Sequence, residues 1–303
     1  MKPVCAITGS NGYVGGCLKN YFTARGWEIL ELTRQPKPGT RGIQFQLGAE
    51  IFPRSGGGDA PSPGISAARA SQPLAGVDAL VHCAYDFKPL RRDEIRAVNV
   101  DGARKLFQAA RAAGVGKIIC ISSISAYEGC RSLYGQAKLE IEKLALENGA
   151  LAIRPGLVYG SGPGGMFGKL TAQVRKSSVI PMIGDGSQIQ FLVHHEDLCA
   201  FIERCASGEV KITPRILTAA NEQPWAFKQL LLEIARALGR KPKFIPLPWR
   251  FVWAGLKTAE LCGVKLNFRS DSLVSLMYQN PRPDFSANAE VGLACRPFQI
   301  EKL

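Results

Sequence analysis

The sequence predicts an α/β chain: a doubly wound parallel sheet followed by a smaller, mostly helical lobe. Three observations carry that prediction. Short apolar runs alternate with helical stretches through the first half of the chain, as expected of strands covered on both faces by helices. A Gly-rich turn, Gly9-Ser10-Asn11-Gly12-Tyr13-Val14-Gly15, joins the first such run to the first helix. The 303 residues are 46% hydrophobic and 21% charged, which suits a large folded core and excludes a disordered chain.

The elements follow in order. Residues 3–7 form the first strand, and a helix covers about 13–25. Strands are expected at 27–33, 42–47 and 78–83, then a helix over about 93–113 that stops at Gly114. Strand 116–122 leads to a helix at 133–148, and 151–154 opens the sixth strand. Residues 48–76 break the rhythm, being rich in Gly, Pro, Ser and Ala. Within them 53–71 are expected to form a mobile loop away from the chemistry. Beyond 155, helices are expected at 165–177, 195–206, 225–238 and 248–262, with short strands at 189–193 and 215–218. The chain thus divides into a nucleotide-binding domain, 1–160, and a second lobe, 161–303, with segments returning to the sheet.

Charge and cysteine usage narrow the partners. The formal charge of +13 favours anionic ligands, but the cations are scattered and no basic run resembles a nucleic-acid arm. Nine cysteines without a Cys-x-x-Cys pair suggest free thiols in a reducing compartment. His82, His194 and His195 lack partners at ligand spacing, so no metal is expected. The first strand begins almost at Met1, leaving no room for a signal peptide, and no uncharged apolar run reaches 18 residues. The expected location is the cytoplasm.

The Gly-rich turn has the spacing of a phosphate loop. Gly9 allows a sharp turn off the strand, Gly12 lets backbone approach a pyrophosphate, and Gly15 lets the helix pack closely on the sheet. The N–H groups of Asn11, Gly12, Tyr13, Val14 and Gly15 then face the phosphates at the positive end of the helix. A Rossmann-type dinucleotide site follows. An NAD-selective site places a carboxylate at the end of the second strand; here Thr33 and Arg34 stand there, and Glu31 comes two residues too early. Thr33 can bond a phosphate oxygen and Arg34 offers a planar fork to a 2′-phosphate, so NADP is the expected cofactor, with NAD open.

A second constellation carries chemistry. Strand five ends in Ser122-Ser123, and Tyr134 and Lys138 follow at i, i+4 on one helix face. An ammonium near the phenol favours its ionised form, which suits Tyr134 to act as acid and base. Ser123 would hold the substrate oxygen beside it, with Ser122 as the competing serine; Tyr134 and Lys138 would also border the cofactor, Lys138 by binding the nicotinamide ribose.

These residues resemble the extended short-chain dehydrogenases/reductases, which include nucleotide-sugar epimerases, dehydratases and ketoreductases. TGSNGYVG is similar to the family's TGxxGxxG, and VHCAY at 81–85 to its V-H-x-A-A turn, which implies that Cys83 and Ala84 line the cofactor. Asn99-Val100-Asp101-Gly102 resembles N-V-x-G, whose Asn orders the active site. Arg154-Pro155-Gly156-Leu157-Val158-Tyr159-Gly160 resembles the R-P-x-x-V-Y-G that borders nicotinamide, which implicates Pro155, Gly156 and Val158. Gly184-Asp185-Gly186 through His194-His195-Glu196-Asp197 is similar to G-D-G…H-V-D-D. Four departures stand out. The Ser-to-Tyr segment is short, and Leu47-Gly48 replace the Asp usual after strand three. Gln190 stands where many nucleotide-sugar enzymes carry an Arg, and Arg269 and Arg282 are the candidates for their second one.

The resemblance implies redox chemistry at a carbonyl or secondary alcohol of an anionic small molecule. A nucleotide-sugar 4-ketoreductase or 4-epimerase is the leading expectation. The alternatives are a reductase of a hydrophobic ketone or alcohol, supported by Gln190 and the apolar run WRFVWAGLKTAEL, and a non-catalytic dinucleotide-binding subunit. A homodimer is compatible with each.

Overall fold

The computed structural model describes residues 2–49, 73–160, 162–264, 266 and 268–300. The expected mobile loop at 53–71 lies outside them. A seven-stranded sheet is built from β1 (Val4–Thr8), β2 (Glu28–Thr33), β3 (Gly42–Gln44), β4 (Ala79–His82), β5 (Lys117–Ile121), β6 (Leu151–Pro155) and β11 (Arg215–Ala219). Its order is β11-β6-β5-β4-β1-β2-β3, and the pairings from β3 across to β6 are parallel. This is the doubly wound α/β architecture expected from the alternating pattern. The order reverses between β1 and β4, so the carboxyl ends of these two strands flank the crevice where such sheets bind ligands.

Helix α1 (Tyr13–Ala24) buries Gly15, Leu18 and Phe22, which recur at three and four residues and form its apolar face. Sheathing a Leu or Phe side chain in this way contributes about 1.5–3 kcal/mol each. Helix α2 (Arg92–Ile95) passes through a π turn (Arg96–Val100) directly into α3 (Asp101–Ala112). The sequence pattern reads this stretch as one regular helix; the π turn inserts an extra residue per turn where Asn99 sits, and such turns concentrate at functional sites. Helix α4 (Leu133–Glu147) follows β5.

Two compact units interleave along the chain. The first comprises 1–122, 137–153 and 199–217; the second comprises 123–136, 154–198 and 218–303. The second holds β7 (Leu157–Tyr159), α5 (Gly165–Lys176), β8 (Val179–Ile183), β9 (Ile189–Gln190) and β10 (Leu192–His194). Helix α6 (His195–Ser207) starts there and runs on into the first unit. The second unit continues through β12 (Trp225–Ala226), α7 (Phe227–Ala237), β13 (Lys243–Leu247), α8 (Trp249–Leu261) and α9 (Ser270–Met277). Its strands pair two by two: β10 with β7, β12 with β9, β13 with β8. Its core gathers Tyr159, Phe167, Val174, Ile180, Leu192, Leu230 and Ile234 around Phe298 of the C-terminal segment.

Candidate functional site

The first unit supplies a cradle at the ends of β1, β2 and β4. Thr8 ties it together. Its hydroxyl oxygen accepts the N–H groups of Cys83 and Ala84 at 3.0 and 3.1 Å, and lies 2.8 Å from His82 Nδ1. With both lone pairs used, the Thr8 proton goes to Nδ1, which places the imidazole proton on Nε2. The two strand ends are thereby locked together, and a Cβ at Gly9 would lie 3.0 Å from the Ala84 backbone. Gly9 itself has φ +69°, a conformation that suits glycine. A Cβ at Gly15 would lie 2.3 Å from the Gly9 carbonyl oxygen, so only glycine fits. Gly12 donates to that same carbonyl at 2.8 Å, and Asn11, Tyr13 and Val14 lie around the open first turn of α1.

The end of β2 is polar in a specific way. Glu31 is buried and accepts Ser10 Oγ at 2.8 Å and Lys19 Nζ at 2.9 Å. Burial pushes its carboxyl up, but the bonds from Lys19 and Ser10 outweigh this and hold it below the usual range. Glu31 is therefore an internal brace of the phosphate loop. Thr33 is buried and its Oγ1 has no protein partner, while Arg34 is exposed and enters no ion pair among the described residues. Arg41 is taken by Glu28, at the opposite, amino end of β2. A cradle that a Cβ would fill, an open helix terminus and an orphaned hydroxyl all fit a dinucleotide.

Asn99 is fully buried, and its side chain clamps one backbone position. Its Oδ1 accepts the Asp86 N–H at 2.7 Å and its Nδ2 donates to the Asp86 carbonyl at 3.0 Å. The residue thus sets the loop that follows Cys83 and Ala84. In that loop the Tyr85 ring lies 5.3 Å from Lys138 Nζ, and Lys138, itself buried, donates to the Ile121 carbonyl at 2.8 Å. Ser122 Oγ donates to the buried carboxylate of Glu142 at 2.5 Å, so this serine is occupied within the first unit.

His82 sets a pH dependence. Burial, with a smaller effect of Lys138, pushes its pKa down from 6.5 to about 3. Between those values the unfolded chain binds a proton that the folded chain refuses, so stability falls as pH drops from 6.5 toward 3. The slope is about 1.4 kcal/mol per pH unit. Urea unfolding at pH 7 and pH 5 should differ by about 2 kcal/mol, and His82→Gln should flatten that difference. An unchanged difference in the variant would assign it to other groups.

In the second unit, Ser123 and Tyr134 are set by local bonds. Ser123 Oγ accepts the Ser125 N–H at 3.1 Å, which leaves its own proton to be donated. The Ser123 carbonyl accepts the Ala126 N–H at 2.9 Å, and that turn packs on α4 beside Tyr134: a Cβ at Gly135 would lie 2.4 Å from the Ser125 carbonyl. The short Ser-to-Tyr segment fits because Gly135 has no side chain. Asp271 at the start of α9 accepts the N–H groups of Leu133 and Tyr134 at 2.7 and 3.0 Å, capping the helix that carries the phenol. Sequence reasoning missed Asp271, which is 137 residues from Tyr134 and carries no motif. Pro155 is buried, Val158 lies on β7, and Gly156 is needed because a Cβ would lie 2.2 Å from the Phe191 carbonyl. Of the other predicted positions, Gln190 bonds Gln279, Arg269 lies 3.9 Å from buried Glu260, and Arg282 is exposed.

A family model described as NAD dependent epimerase/dehydratase family matches residues 5–211, more than half of the chain. The chain belongs to this family. As a family member it is an NAD-dependent type of oxidoreductase or epimerase, as the phosphate loop and the Tyr-x-x-x-Lys helix lead one to expect. Among relatives of known activity, the Ceramide reductase of Caulobacter vibrioides is 30% identical over 82% of this chain and 74% of its own length. The dTDP-4-dehydro-6-deoxy-D-allose reductase of a Streptomyces species is 26% identical over 84% of this chain and 87% of its own. Family structures share the fold: MoeE5 in complex with UDP-glucuronic acid and NAD superposes with a TM-score of 0.70 at 19% identity, covering 97% of this chain and 94% of its own.

Proposed function

We propose that this family member is an NADP-dependent ketoreductase whose substrate is a lipid-like ketone rather than a nucleotide-linked sugar. The observation that carries the substrate reading is the side-chain bond from Gln190 Nε2 to Gln279 Oε1 at 2.9 Å. By the resemblance, Gln190 stands where many nucleotide-sugar enzymes carry an Arg against the pyrophosphate; here it pairs with neutral Gln279, and a neutral pair does not compensate two phosphate charges. The likeness to a ceramide reductase supports the same reading.

Gly9, Gly12, Gly15, Thr33, Arg34, Cys83 and Ala84 would hold the dinucleotide, with Lys138, Pro155, Gly156 and Val158 toward its nicotinamide. The bound cofactor supplies a hydride to the carbonyl carbon. Tyr134 gives its hydroxyl proton to the carbonyl oxygen, completing the alcohol, and Ser123 donates a hydrogen bond that holds that oxygen in place. Lys138 stabilises the phenolate left behind until solvent returns the proton. Asn99 sets the loop that holds Tyr85 beside Lys138.

The test is a panel of purified protein with NADPH or NADH and either a keto-ceramide or a dTDP-4-keto-6-deoxyhexose, followed by loss of the reduced nicotinamide absorbance. NADPH consumption with the lipid ketone alone is expected. A second reading, a nucleotide-linked keto-sugar, is favoured by the allose reductase likeness, which spans 87% of that protein. Turnover of the sugar and not the lipid would reverse the substrate assignment and leave the reductase standing.

A further inference from the structure

Helix α8 is turned inside out. Phe251, Ala254, Gly255, Thr258, Leu261 and Cys262 recur at intervals of three and four, so they form one stripe along the helix. Every one of them is exposed, and none is charged. Phe251 and Leu261 are 78% and 79% exposed, with Trp253 and Val264 also open to solvent. The helix is held by its opposite side. Buried Glu260 accepts Ser270 N and Oγ at 2.8 and 2.7 Å, and the Trp249 ring meets Tyr278 edge-on at 5.9 Å. Its apolar stripe therefore has a fixed direction, and that direction is outward.

The charges around the stripe say what covers it. Arg250 and Lys257 lie one helical row beside Ala254 and Leu261. Lys243 is exposed on β13, on the same strand face as exposed Ile245, just before α8. From 240 to 264 the chain carries Arg240, Lys241, Lys243, Arg250 and Lys257, and its only acid is Glu260, which points inward. A second copy of the chain would bring the same cations against these. An anionic lipid surface takes both features at once: acyl chains accept Phe251 and Leu261, and headgroup phosphates accept the flanking Lys and Arg. We propose that α8 docks this protein on an anionic membrane, lying in the interface plane. Among the described residues no helix is long and apolar enough to cross a membrane. This docking goes beyond the ketoreductase reading and does not depend on it, because its test contains neither cofactor nor ketone.

The full chain is floated with vesicles of phosphatidylcholine mixed with phosphatidylglycerol, and with phosphatidylcholine alone. Uptake by the anionic vesicles that declines with added salt is expected. F251S/L261S should weaken it at least about tenfold, the effect of removing two inserted apolar groups. R250Q/K257Q should weaken it about fivefold per charge, and only on the anionic vesicles. Arg250, Phe251 and Leu261 are exposed and Lys257 is half-buried, so circular dichroism should be unchanged; should a variant misfold, the lipid and salt dependence of the unmutated protein decides alone. No uptake by either vesicle would overturn the proposal. So would full uptake by F251S/L261S, or a dimer in sedimentation velocity that F251S/L261S dissolves, which would make a second copy the occupant.

Discussion

Tyr134→Phe is expected to lower turnover by about a hundredfold or more while leaving cofactor affinity unchanged. The substitution removes one hydroxyl and keeps the ring. The start of α4 survives, because its cap uses backbone N–H groups: Asp271 takes those of Leu133 and 134, and Ser132 Oγ takes that of Gly135 at 3.1 Å. The substitution leaves the phosphate cradle of Gly9, Gly15, Thr33 and Arg34 untouched. A change confined to the phenol should therefore appear in kcat and not in the Kd for NADPH. Stopped-flow turnover beside fluorescence titration of the cofactor separates the two. Near-normal turnover in the variant would remove Tyr134 from the chemistry.

Arg34→Ala should weaken NADPH binding by about 10- to 150-fold, the equivalent of about 1.5–3 kcal/mol for one charge-assisted phosphate contact. NADH binding should hardly change, since NADH has no 2′-phosphate for that guanidinium to meet. The surroundings sharpen this expectation. Glu31, the one carboxylate on β2 near this end, is spent on Ser10 and Lys19, so it neither grips a ribose nor repels a phosphate. Arg41 is paired with Glu28 and is a poor substitute for Arg34. Thr33 Oγ1 remains buried without a protein partner beside it. If the unmutated protein binds NADH as tightly as NADPH, the reading of this strand end is wrong.

Much of this was legible in the chain itself, for a physical reason. The sheet strands and the helices of the first half follow from local pattern: an apolar run of five residues such as Val4–Thr8 has to be buried on both faces, and a Gly-rich turn before a helix has few other uses. The same locality placed Tyr134 and Lys138 one turn apart on a single helix. Strands β8 and β13 escaped because each carries a proline, Pro181 and Pro246, which weakens a strand reading. The fold admits them because a two-stranded pair leaves every strand an outer edge, where a missing N–H costs nothing. The different surroundings of Ser122 and Ser123 were equally closed to sequence, since neighbours in a chain look alike. Glu142 accepts the Ser122 hydroxyl, while Ser123 Oγ accepts the Ser125 N–H in a turn packed on Gly135. Thr8 joining two strand ends, Asn99 gripping the Asp86 backbone and Asp271 capping the Tyr134 helix are decided the same way. Each depends on a partner brought near by the path of the chain, and a polar side chain carries no mark in sequence of which distant backbone group it will meet.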